Sequence, residues 1–179
     1  MKTNKHRDQR IGKYVFSDTT VLKMSKLIEK TQDTDKEHGF TLCLDEKTSK
    51  IYPGQEHSQS SHSEERYIKF QSECRERGKK PVGTFHSHVT TSSDEPSALD
   101  IFSNCHEQND VSCIGSPKDG KVTCMIKNNP GTNCQHKAKQ FVDIENILIE
   151  KNEGDEEELY LNVDKVINEN FRKEELKLK

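Results

Sequence analysis

The sequence predicts an α+β (α/β-type) fold, a mixed β-sheet combined with helices, on three observations. Short runs rich in β-branched and aromatic residues alternate with segments whose apolar residues recur at helical spacing. Turn-forming residues separate them, most clearly at Asp45-Glu46-Lys47-Thr48, Gly78 to Pro81 and Ser116 to Gly120. The resulting order, strand–helix–hairpin–helix–strand–helix–hairpin–helices, is one that buries sheet against helix. With 179 residues the chain is long enough for one domain with an appendage, divided here as residues 1–135 and a C-terminal helical extension over 136–179.

Taken in order, Ile11 to Ser17 carries β-branched and aromatic residues and forms the first expected strand. Asp18-Thr19-Thr20 offers helix caps, and Val21, Leu22, Met24, Leu27 and Ile28 mark one face of a helix reaching about Thr31. Gly39 to Leu44 is a compact apolar run of strand length. Lys50-Ile51-Tyr52 returns as its hairpin partner, which Pro53-Gly54 is expected to end. Gln55 to Glu65, polar and rich in serine and histidine, is expected as an exposed loop, so His57 and His62 are taken as solvated. Tyr67 to Arg77 suits a short helix with Phe70 and Cys74 on one face, and Val82 to Phe85 the next strand.

Leu99, Ile101, Phe102 and Cys105 give a further helix its buried stripe. Val111 to Gly115 and Lys121 to Ile126 flank a turn and form a hairpin. Phe141, Ile144, Ile147 and Leu148 mark another helix, and the acidic stretch Glu150 to Glu158, interrupted by Gly154, is expected as a mobile connection. Val163, Val166, Ile167 and Phe171 line a narrow stripe on a terminal helix. The stripe is expected to dock on its own domain, with a homodimer contact as the alternative.

Composition narrows the function classes. Hydrophobic residues make up 29% and charged residues 33%, so the core is modest and the surface strongly solvated. No run approaches the ~20 apolar residues of a membrane helix, and no signal-type apolar core follows the basic start, which predicts a soluble cytoplasmic protein without a membrane partner. A formal net charge of −3 gives no electrostatic reason to expect nucleic acid. The six cysteines contain no C-x-x-C pair, and buried reduced thiols are the expectation. A second zinc site on Cys134 and His136 is the lesser alternative.

The chemistry concentrates in Gly83-Thr84-Phe85-His86-Ser87-His88 and Pro96-Ser97-Ala98-Leu99-Asp100. On a strand, His86 and His88 share a face and Ser87 points away. A histidine pair alone is commonly a surface feature, and Ser97-x-x-Asp100 alone matches a helix capping box. Together, two imidazoles and one carboxylate leave a fourth tetrahedral position for water, the arrangement of a catalytic zinc site. Ser97 can donate to a developing oxyanion. Glu37, just before the strand at Gly39, is the candidate base, its alternative being an ordinary solvated glutamate.

In these residues the chain resembles the JAMM (MPN, Mov34/PAD1-type) zinc metalloproteases. Their pattern is an upstream glutamate, then H-x-H, then S-x-x-D, matched by Glu37-His38-Gly39-Phe40, His86-Ser87-His88 and Ser97-Ala98-Leu99-Asp100. The likeness runs from about residue 10 to residue 127. It implies a β-sheet sandwiched by helices. It also implies one Zn2+ per chain held by His86, His88 and Asp100, Ser97 stabilising the tetrahedral intermediate, and Glu37 as general base and acid. The activity implied is hydrolysis of isopeptide or peptide bonds at the C-terminus of ubiquitin-like proteins, free or conjugated. A non-catalytic protein-binding scaffold of the same family is the alternative. A DNA-repair-associated relative would carry a basic patch, and only scattered Lys79-Lys80 and Arg75 and Arg77 are present. The linker from His88 to Ser97 is one residue longer than usual in the family. Val89 stands where proline often follows, and Glu37 lies two residues before Gly39 rather than three.

Overall fold

The structure, a computed structural model, describes residues 8–58, 73–89, 98–118, 120–151 and 156–178. The chain begins with a small hairpin, β1 (Gln9–Ile11) and β2 (Tyr14–Phe16), turning at Gly12 where φ is 59°. Where one strand was expected over Ile11 to Ser17, this glycine splits the segment in two, because a left-handed residue ends strand geometry.

Helix α1 (Asp18–Thr34) follows. Ser17 caps it, its side chain accepting from the Thr20 amide, and Asp35 in the left-handed region closes its end, its backbone N–H donating to the Thr31 carbonyl. Four of the five residues of the predicted stripe, Val21, Met24, Leu27 and Ile28, are buried, and Leu22 is half-buried.

The antiparallel pair β3 (His38–Asp45) and β4 (Lys50–Ser58) comes next. Pro53-Gly54 was expected to end β4, yet the strand continues through it. The parallel pairing of β2 with β4 extends only to Ile51, so beyond that point one side of β4 is an edge, where proline's missing amide leaves no ladder bond unmade. The β3–β4 register shifts between Phe40 and Leu42, which face Glu56 and Pro53. The loop expected over 55–65 therefore begins as strand, with His57 in β4; its remainder, His62 included, lies outside the described residues. Of the helix expected over 67–77, residues 73–76 are helical and 67–72 lie outside the described residues.

Strand β5 (Lys80–Ser87) pairs antiparallel with β3 and parallel with β6 (Val111–Ser116), the short helix α2 (Ala98–Asn104) lying between β5 and β6 in sequence. Strand β7 (Lys121–Lys127) completes the predicted hairpin with β6. Helices α3 (Gln135–Lys151) and α4 (Glu156–Asn170) follow; the middle of the expected connection between them, residues 152–155, lies outside the described residues. Phe171, expected on the terminal helix, instead opens a last strand, β8 (Phe171–Leu176), antiparallel to β7.

The strands described form one eight-stranded sheet, in the order β1-β2-β4-β3-β5-β6-β7-β8. Its two edges meet. The Lys177 amide donates to Gln9 Oε1 at 3.0 Å, and Gln9 Nε2 donates back to the Lys177 carbonyl. This corrects the expected β-sheet sandwiched by helices and followed by C-terminal helices: the sheet is a nearly closed, barrel-like surface. The physical reason is β8. Added outside β7, it carries the sheet's twist round until β1 and β8 face one another.

Alternation across the sheet separates two apolar clusters. Val122, Cys124 and Ile126 of β7 join Phe16, Phe40, Phe85, Leu176 and the stripe of α1 in the main core. Met125 and Phe171 face the other way and meet Ile101, Cys105, Leu159, Val163 and Ile167. Helices α2, α3 and α4 pack mainly on one another and on the β7–β8 end, not as a full layer over the sheet. Val163, Val166 and Ile167 are buried there, so the stripe docks on its own domain.

Disulfides also correct the sequence expectation. Cys43 bonds Cys74, Cys105 bonds Cys134, and Cys113 bonds Cys124, leaving no free cysteine. Each pair joins segments that the fold brings together: β3 to the helical residues 73–76 before β5, the end of α2 to the start of α3, and β6 to β7. Cys134 and His136 thus form no zinc site, since the Cys134 thiolate is consumed. Among the described residues, no helix is long and apolar enough to cross a membrane.

Candidate metal centre

The sheet brings together the ends of two strands that are far apart in sequence. In the β3–β5 register, His38 faces Ser87 and Gly39 faces His86. Glu37, immediately before β3, thereby reaches the end of β5, where His86 and His88 emerge. Ligand atoms of Glu37, His86 and His88 all lie within 4.8 Å of one another. Both histidines are buried, at 6% and 7% exposure, and Glu37 is half-buried. Two imidazoles withdrawn from water beside a carboxylate form a group that suits a cation, since neutral histidine and an ionised carboxylate are both ligands for divalent metals.

The imidazole geometry fits such an ion. His86 Nε2 and His88 Nε2 are 3.1 Å apart. Two nitrogens bound at ~2.05 Å to one tetrahedral zinc stand about 3.3 Å apart. The same spacing is a hydrogen bond when one ring nitrogen carries a proton and the other does not, so both rings already converge on a shared point. On its other side β5 is secured by β6: the His88 amide donates to the Gly115 carbonyl at 2.8 Å.

Close strand approach makes this convergence feasible. A side chain at Gly39 would place its Cβ 2.3 Å from the Phe85 carbonyl oxygen and 3.2 Å from His86 Cα. Glycine thus lets β3 run against β5 beside the histidines. The same absent side chain leaves room for the His57 ring, whose Cε1 lies 3.1 Å from that Cβ position. His57, paired across Gly39 in β4, therefore belongs to the strand framework beside the site and not to a loop.

Beneath the site, on the α1 side, lies a polar layer. Ser87 Oγ donates to the His38 carbonyl at 3.2 Å and the His38 amide donates to Ser87 Oγ at 3.3 Å. Thr31 Oγ1 hydrogen-bonds Ser87 Oγ, and Thr34 Oγ1 bonds His38 Nε2 at 2.9 Å. Burial, reinforced by the Lys30 charge, pushes the His38 imidazole below its usual pKa.

Among the sequence-predicted site residues, the structure thus brings Glu37, His86 and His88 together. Asp100 is the third residue of α2; its side chain lies outside the described set, as does all of Ser97. The network of Thr31, Thr34, His38 and Ser87 escaped sequence reasoning. The available signal was the alternation that turns Ser87 away from the histidines and so requires a polar partner for it on the other face. No family model matches the chain, and no curated protein matches it.

Proposed function

We propose that this protein is a zinc-dependent metallopeptidase that hydrolyses peptide or isopeptide bonds at the C-terminus of ubiquitin-like proteins. The observation that carries the proposal is the convergence of Glu37 with His86 and His88 from two segments about half a hundred residues apart in the chain. The substrate class comes from the resemblance of Glu37, His86-Ser87-His88 and Ser97-Ala98-Leu99-Asp100 to the JAMM pattern, and from that alone. Zinc, when bound, supplies a Lewis acid for the scissile carbonyl and lowers the pKa of an attacking water.

The chain's own residues do the rest. His86 and His88 present two ring nitrogens, and Asp100 a carboxylate from the start of α2, as the resemblance implies. Glu37 accepts a proton from water as its oxygen attacks the carbonyl carbon. It then returns that proton to the leaving nitrogen as the C–N bond breaks, giving a carboxylic acid and an amine. Ser97 donates to the oxygen that gains negative charge. A carboxylate within 4.8 Å of both imidazole nitrogens is close enough to exchange protons with a water bound among them.

Elemental analysis of the purified protein, paired with cleavage of ubiquitin-like fusions with and without chelator, tests this. The expectation is about one zinc per chain and cleavage abolished by chelator. Glu37→Gln should keep the metal and lose 10²-fold or more (roughly) in kcat, the range for removing a general base. Protein without zinc, or Glu37→Gln as active as the parent, would refute the proposal. Zinc uptake by a parent inert on every conjugate tried would favour the binding-scaffold alternative.

A further inference from the structure

The middle residue of the histidine motif, Ser87, takes no part in the chemistry above, and it is fully buried on the opposite face of β5. Its oxygen is saturated. It donates its one proton to the His38 carbonyl and accepts from the His38 amide and the Thr31 hydroxyl, the complete donor and acceptor capacity of a serine. Thr31, equally buried, reaches it from the last turn of α1.

This cluster sits where both strands end. His38 is the first residue of β3 and Ser87 the last of β5, so their pairing closes the ladder, and Glu37 lies one residue beyond it. Backbone bonds cannot restrain a residue outside the ladder, and strand ends are where local opening begins. His88 is tethered from the β6 side. On the β3 side, the hydroxyls of Ser87 and Thr34 hold His38, and the hydroxyl of Thr31 holds Ser87.

We propose that Ser87 and Thr31 form a buried hydroxyl clamp that positions Glu37 against His86 and His88. The proposal rests on the metal reading of that site. Ser87 and Thr31 are positioning residues: neither touches a substrate or an ion. The clamp couples the C-terminal turn of α1 to the distance of Glu37 from the two histidines. Its loss opens the junction by fraying, separating Glu37 from the histidines while most of the sheet stays paired.

The test uses the full chain carrying Ser87→Ala, the near-isosteric Thr31→Val, or the hydroxyl-retaining Thr31→Ser. Zinc content is measured by elemental analysis and kcat on ubiquitin-like fusions, cobalt substitution is followed by its visible spectrum, and exchange of the His38 amide is measured on metal-free protein. Ser87→Ala and Thr31→Val should keep zinc, as Glu37→Gln does, and lower kcat about tenfold or more, because a displaced Glu37 no longer reaches the attacking water. They should also alter the cobalt spectrum and speed exchange at His38, while Thr31→Ser keeps the parent values. A Ser87→Ala that does not fold leaves the decision to the two Thr31 variants. Parent-like kcat and cobalt spectrum in folded Ser87→Ala or Thr31→Val overturn the clamp. A parent chain that takes up no zinc refutes the metal reading instead. The metal-free exchange then decides the clamp alone: faster exchange in Thr31→Val upholds it as a strand-end tether, and unchanged exchange overturns it.

Discussion

Opening the disulfides should remove a large share of this protein's stability, and the structure allows the size to be worked out. The pair Cys43–Cys74 spans 31 residues, Cys105–Cys134 spans 29 and Cys113–Cys124 spans 11. The chain-entropy relation gives about 3.7, 3.6 and 2.8 kcal/mol respectively for loops of those lengths at 25 °C. The smallest loop lies inside the second, so those two contributions overlap and their sum is an upper bound. Even the separate Cys43–Cys74 pair is large against a total domain stability of about 5–15 kcal/mol. For a domain of this size, about 2–4 °C per kcal/mol converts its loss into a fall in Tm of roughly 7–15 °C. The assay alkylates the denatured protein before and after reduction and weighs it intact, with peptide mapping to assign the pairs. Thermal unfolding of the parent and of the double variant Cys43→Ser/Cys74→Ser follows. Before reduction no cysteine should react, and after it all six. Protein folded under oxidising conditions with six reactive thiols, or with a Tm indifferent to reductant, would refute the reasoning. Because disulfides persist in oxidising compartments, the same measurement bears on where the protein resides.

Two further outcomes follow from the strand framework. Gly39→Ala forces β3 away from the Phe85 carbonyl and His86 Cα and should cost about 1–3 kcal/mol, as overpacking does, together with a loss of zinc affinity. Gly83→Ala, whose Cβ would fall 1.6 Å from the Val111 carbonyl oxygen, should destabilise more, measured by urea unfolding; the reverse order would contradict the strand spacing described. At high pH, burial and, secondarily, the Asp110 carboxylate push the Tyr14 phenol up to about 12. A raised folded value means that the unfolded chain loses its proton first, so this contribution is complete below pH ~10 and lost as pH rises toward 12. Tyr14→Phe should therefore show a smaller fall in Tm between those values than the parent does, and equal falls would rule the contribution out.

Local pattern alone carried much of the sheet's interior. Gly39 to Leu44, Val82 to Phe85 and the hairpin of Val111 to Ile126 announce themselves as apolar runs bounded by turns, because strands buried on both faces need such runs wherever they sit. The amphipathic stripe of α1 was legible for the same reason. So was the shared face of His86 and His88, which requires only that the segment be extended.

Features set by distant partners were not legible. Phe171-Arg172-Lys173-Glu174-Glu175-Leu176 has the composition of a solvated helix end; it becomes β8 because β7 offers an unpaired edge, and only its terminal Phe171 and Leu176 are buried. That strand turns an open sheet into a nearly closed one. Six cysteines allow 15 pairings, and the one observed depends on which strands become neighbours.

The site divides along the same line. The residue types and spacing around His86, Ser87 and His88 are properties of the sequence, set by the two-residue period of a strand. Whether Glu37 belongs with them is decided by the β3–β5 register, since one residue of slip would turn His38, not Glu37, toward the imidazoles. The serine between the histidines had no evident partner in the sequence because its partners, Thr31 and His38, are 56 and 49 residues away. Only the packing of α1 beneath the sheet could bring them within hydrogen-bonding distance.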